Sequence, residues 1–163
     1  MALTKVPGTM VSPPQSGSVI QTVQAIATTG GSLASTNSSS YVTTGFSVTI
    51  TPQFSNSKIL LTVQSTYYIQ GTAPIVGAFT IYRGGTNIAP GGTSPQNLVD
   101  VQMVTGSSVA GPLSIVFLDS PATTSSTTYT VYFASSAANT YFGVSVGFAG
   151  SNTSTFTAQE IAA

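Results

Sequence analysis

The sequence predicts an all-β chain folded as a single antiparallel β-sandwich or barrel. Three observations carry this. Runs rich in Val, Ile, Thr, Tyr and Phe recur along the chain, separated by Gly, Pro, Asn and Ser, the composition of strands and turns. Within the runs apolar residues alternate with period two. Phe142, Val144, Val146 and Phe148 stand against Gly143, Ser145 and Gly147, as in a strand with one buried face. No stretch sets helix-forming residues at a 3.6 spacing.

In chain order, residues 1–17 read as an N-terminal docking arm and residues 18–163 as the β domain. Pro7, Pro13 and Pro14 bar a helix or a central strand from the arm. Its spaced apolar residues Leu3, Val6, Met10 and Val11 suit contact with a neighbouring subunit or a docking surface better than a frayed tail. Strands are expected at Ser18–Ala27 and, after a loop from Thr28 to Ser40, at Tyr41–Ile50. Thr51 to Asn56 turns the chain into a long strand, Lys58–Gln70. Ile75–Arg83 follows, and Gly84-Gly85 is suited to a two-residue turn with positive φ, returning through Thr86–Ile88. Ala89–Gln96 is loop. Asn97–Thr105, Leu113–Leu118, Thr127–Ala134, Tyr141–Ala149 and Thr153–Ile161 complete the strands.

Composition removes whole classes of function. Only 4% of residues are charged, against about 25% in an average domain. The charged residues are Lys5, Lys58, Arg83, Asp100, Asp119 and Glu160, and the net charge is zero. This offers no footprint for nucleic acid or an anionic membrane. No apolar run approaches the roughly 18 residues of a membrane-spanning helix. A membrane barrel would want girdles of Trp and Tyr, and the chain has no Trp. The start carries no basic region leading into an apolar core, so no secretory signal is expected.

There is no His and no Cys, which removes the usual general base near neutral pH and the usual soft metal ligands. The three carboxylates fall on different segments. Ion pairs or turn caps explain them more simply than a glycosidase pair. Asp119 opens Asp119-Ser120-Pro121 and suits an Asx turn. Arg83 is expected to pair with Asp100 or Asp119. Lys58 reads as a strand-edge guard against unwanted pairing. The serines have no base to activate them. No catalytic residue, metal site or cofactor is therefore expected, and the chain reads as a non-enzyme.

Binding and assembly remain. Some strands are apolar on both faces: Leu113, Ile115 and Phe117 alternate with Ser114, Val116 and Leu118, and Tyr129, Val131 and Phe133 alternate with Thr130, Tyr132 and Ala134. One face lines the core, and the other needs cover. Val116, Leu118 and Tyr132 are thus candidates for an oligomer interface. Asn87, Gln96 and Asn97 are candidates for binding from exposed loops. Tyr67, Tyr68, Tyr82 and Tyr141 are of a kind that stacks on sugars, though core packing explains each singly.

The run Tyr41-Val42-Thr43-Thr44-Gly45-Phe46-Ser47-Val48-Thr49-Ile50-Thr51-Pro52, then Ser57-Lys58-Ile59-Leu60-Leu61, resembles a family of virion proteins of marine and freshwater phages, cyanophages among them. Phe79-Thr80-Ile81-Tyr82-Arg83-Gly84-Gly85-Thr86-Asn87-Ile88, Phe117-Leu118-Asp119-Ser120-Pro121-Ala122-Thr123-Thr124, Thr128-Tyr129-Thr130-Val131 and Ala158-Gln159-Glu160-Ile161 continue the likeness. The resemblance implies a jelly-roll-like sandwich, commonly trimeric, used in tail-fibre tips or as small head-decorating proteins, without catalysis. The short arm departs from long-shafted fibres and favours decoration. The expectation is therefore a capsid decoration or cement protein. It would form a homotrimer on the virion surface, assembled in the host cytoplasm, against the major capsid protein or another virion protein. The alternatives are a tail-fibre or receptor-binding head recognising host glycan, and a carbohydrate-binding module.

Overall fold

The computed structural model describes residues 14–89, 97–144 and 151–163. The arm residues Leu3, Val6, Met10 and Val11, and the loop residue Gln96, lie outside the described residues. Eleven strands run through the described part: β1 (Val19–Thr29), β2 (Ala34–Thr36), β3 (Val42–Ile50), β4 (Lys58–Gln70), β5 (Ile75–Arg83), β6 (Thr86–Asn87), β7 (Val99–Met103), β8 (Ser108–Asp119), β9 (Thr127–Ser135), β10 (Asn139–Phe142) and β11 (Asn152–Ile161). Every pairing between them is antiparallel.

The strands form two packed sheets. In the first, β8 runs along one side of β4 for its whole length, while β11 and β10 share the other side; β1 flanks β11 and β2 flanks β10. In the second, β3 pairs β9, β9 pairs β5, and β7 and the short β6 share the far side of β5. With the short β2, β6 and β10 set aside, the orders are β1-β11-β4-β8 and β3-β9-β5-β7. First and last strands lie side by side, and successive strands cross between sheets except β5 and β7, which pair directly. That is the jelly roll, an all-β solution in which two Greek keys share one core.

The core follows from alternation. Phe46, Val48 and Ile50 of β3, Ile59, Leu61 and Val63 of β4, Phe79 and Ile81 of β5, and Tyr129, Val131 and Phe133 of β9 are buried between the sheets with Phe142 and Phe156. The ring of Phe46 meets Phe142 and Phe156 at centroid separations of 5.9 and 6.1 Å. Phe79 stacks on Phe133 at 6.3 Å. Ile69, Ile75 and Met103 close one end of the sandwich.

Several expectations are corrected. The segment Thr28 to Ser40 contains β2. β8 starts at Ser108, five residues ahead of the expected Leu113, and runs through Gly111 and Pro112. Among the described strands β8 bonds only β4, and an edge strand tolerates proline because the missing N–H faces away from the ladder. The expected strand Tyr141–Ala149 is β10 followed by a turn at Gly143, whose φ is +61°; residues 145–150 lie outside the described residues. Lys58 guards no sheet edge, since β4 is bonded on both sides and Lys58 lies opposite Ile161. Asp119 caps no turn. It ends β8 and is buried, with Arg83 Nη1 donating to its two oxygens at 2.9 and 2.7 Å and the Tyr129 hydroxyl donating at 2.7 Å.

Candidate functional site

Two outward regions of the sandwich are built in ways that core formation does not require. The first is the outer face of the six-stranded sheet. Leu61 and Val63 point inward opposite Ala158 and Phe156, so their neighbours point out. The registers align these neighbours in rows: Thr22, Gln159, Leu60 and Leu118; Gln24, Thr157, Thr62 and Val116; Ile26, Thr155, Gln64 and Ser114. No residue in these rows is charged. Val116 is 64% exposed, Ile26 63% and Leu118 48%.

The polar groups of this face already bond one another. Gln24 Nε2 donates to Thr157 Oγ1 at 3.0 Å, Gln64 Nε2 to Ser114 Oγ at 2.7 Å, and Gln159 Nε2 to Thr22 Oγ1 at 3.3 Å. Covering a polar group costs energy mainly when its hydrogen bond to water is not replaced. Here part of that replacement is made within the face. Further along it, Tyr68 lies opposite Tyr141, with rings 5.6 Å apart.

The second region is a hollow of ≈ 480 Å³ on the outer side of the other sheet, lined by Ser39, Val76, Ala78, Asn97, Asp100, Ala134, Ser135 and Ser136. Its floor is low because Ala134, Ala78 and Asp100 occupy one cross-strand row. The next rows carry Tyr132 and Tyr82, whose rings stack at 3.9 Å, and Tyr41 meets Tyr82 edge-on at 6.3 Å. The Tyr41 hydroxyl is buried and has no hydrogen-bond partner among the described residues. Burial first, then the Asp100 carboxylate and Tyr82, push its pKa up to about 12. The hydroxyl therefore keeps its proton at neutral pH.

The predicted residues separate accordingly. Val116 and Leu118 share one outer face, and Tyr132 lies on the opposite sheet, half-buried against Tyr82. Asn87 is not on an open loop: it sits in β6, and its Oδ1 accepts from Thr80 Oγ1 at 2.7 Å and from the Ala89 N–H at 3.0 Å. Asn97 lines the hollow. Sequence reading passed over Asp100, Ala78, Ala134 and Tyr41 as site residues. The available signal was small alanines on the outward side of strands otherwise apolar on both faces. Of the tyrosines weighed as sugar stackers, Tyr67 turns inward against Phe79.

No protein-family model matches the chain, and no curated protein matches it. Among solved structures, it is similar to chains of infectious bursal disease virus particles. For the T13 particle the TM-score is 0.46 at 15% identity, covering 100% of this chain and 40% of that one. For derived T=1 particles the values are 0.47 and 14%, covering 100% and 41%. The chain thus spans about two-fifths of those viral chains. It is also similar to a Bacillus endospore appendage protein that forms disulfide-linked pili, with a TM-score of 0.31 at 13% identity, covering 94% and 98%.

Proposed function

We propose that this chain is a non-enzymatic structural protein of a bacteriophage particle, a decoration or cement protein that sits as a trimer on the outer surface. The observation that carries the reading is the set of three uncharged rows across the outer face of the six-stranded sheet, with Lys58 standing one row beyond them. Val116, Leu118, Leu60 and Ile26 are set there among amides and hydroxyls that bond one another. Such a face loses little on leaving water and gains from apolar burial at about 25 cal/mol per Å². Three copies closing around a threefold axis would each cover these rows with a neighbour's surface. The sequence resemblance to phage virion proteins supports the same reading. In this proposal residues 1–17 dock on the major capsid protein or another virion protein through Leu3, Val6, Met10 and Val11, and the sandwich faces outward.

Light scattering on the purified protein, and co-sedimentation with undecorated particles, test it. A trimer that binds particles in hundreds of copies is expected. A chain that stays monomeric at high concentration and leaves particles bare overturns it. A tail-fibre head recognising host glycan is the second reading, favoured by the hollow beside Asn97. It predicts a handful of copies per particle and loss of adsorption on deletion.

A further inference from the structure

We propose that the hollow on the outer side of the β3-β9-β5-β7 sheet binds a neutral pyranose sugar, with Asp100 and Asn97 as its principal polar contacts. Of the described carboxylates, Asp119 is taken up by Arg83 and Tyr129, and Glu160 by Gln21 and two backbone amides. Asp100 is exposed on β7, and no hydrogen bond or ion pair among the described residues occupies it. A free carboxylate accepts from two adjacent hydroxyls at once, as a vicinal diol presents them. Asn97 adds an amide that both donates and accepts, and Ser39 adds a hydroxyl at the rim.

The floor of Val76, Ala78 and Ala134 is apolar, matching the C–H face of a pyranose ring. The volume, ≈ 480 Å³, lies within the range of roughly 300–1,000 Å³ common for small-ligand sites. An anionic ligand would meet the Asp100 charge unfavourably. A cation would find one carboxylate and otherwise only hydroxyls and an amide. The buried Tyr41 hydroxyl, protonated and unpartnered, stands on the same sheet face close enough to sense Asp100.

The site lies on the sheet opposite the proposed assembly face, so sugar binding and trimer formation fail or succeed separately. Saturation-transfer NMR on the whole chain, with glucose, galactose, mannose and N-acetylglucosamine as probes and 1,5-diaminopentane as a cationic control, tests it. Signal from at least one sugar is expected, little changed by high salt. Asp100→Ala should weaken that binding about tenfold or more, and Asn97→Ala should weaken it less. Both variants should keep the wild-type melting temperature, because Asp100 is exposed and Asn97 only half-buried. Silence from all four sugars, unchanged binding in Asp100→Ala, or binding of the diamine alone overturns the proposal.

Discussion

Glu160 is fully buried in β11 yet has no cationic partner among the described residues. Gln21 Nε2 donates to it at 2.6 Å, and the backbone N–H groups of Gln53 and Phe54 donate at 2.8 and 3.1 Å. Burial alone would raise its pKa; these donors outweigh it and hold the pKa below the usual carboxylate value. Because the folded pKa is depressed, the stabilisation is present above the unfolded value of about 4.3 and is lost as pH falls through the folded value. Glu160→Gln should cost about 1–3 kcal/mol in urea unfolding: its Oε1 can still accept from the Gln53 and Phe54 backbone, but its NH₂ would face the Gln21 amide that donates to Oε2 in the native chain. Gly143→Ala should also destabilise, by about 1–3 kcal/mol: φ is +61°, and an added Cβ would lie 2.6 Å from Leu33 Cδ1. Neither role was legible in the sequence. The partners of Glu160 stand 139, 107 and 106 residues away along the chain, and Gly143 sits in an alternating pattern that masks its turn.

At the scale of elements, legibility tracked local pattern. β4 and β5 fall on the residues that alternation predicted, Lys58–Gln70 and Ile75–Arg83. β8 runs ahead of the expected Leu113–Leu118 because its start at Ser108 is set by pairing with the far end of β4, which no local window contains. The apolar outward residues of β8 were legible; that Tyr132 lies on the other sheet was not. Val116→Lys and Leu118→Lys place charges on exposed positions, so each should change unfolding by no more than about 0.5 kcal/mol. In the proposed trimer they should shift sedimentation toward monomer. Unchanged sedimentation in the double variant would remove this face from the assembly.

For the whole molecule, the all-β class was readable from composition and period, while strand order was not, because both sheets are made of long-range pairings. The composition also sets a pH profile. With no His and no Cys, no side chain with an ordinary pKa titrates between about pH 5 and 8. Melting temperature should be nearly flat across that window. It should fall in acid as Glu160 takes up its proton. In alkali, Tyr129 and Tyr41 have raised pKa values, chiefly by burial. The stability they protect is complete below the unfolded tyrosine value of about 10 and is lost above it. A thermal scan against pH checks both limbs. Self-association through the three uncharged rows should change little with added salt, since screening acts on charges.

β1 and β11 lie antiparallel, and their outer ends are closed by Gly17 N–H to Ala162 O at 2.7 Å and Ala162 N–H to Ser18 O at 2.9 Å. The two ends of the fold therefore leave from one corner. Tension applied through Gly17 and Ala162 would open this ladder like a zipper, loading one pair of hydrogen bonds at a time. The same tension applied between Gly17 and the far end of β11 would shear the whole ladder at once. Pulled by its termini, the sandwich should yield at low force; held by one end and the body of the sheet, it should resist far more.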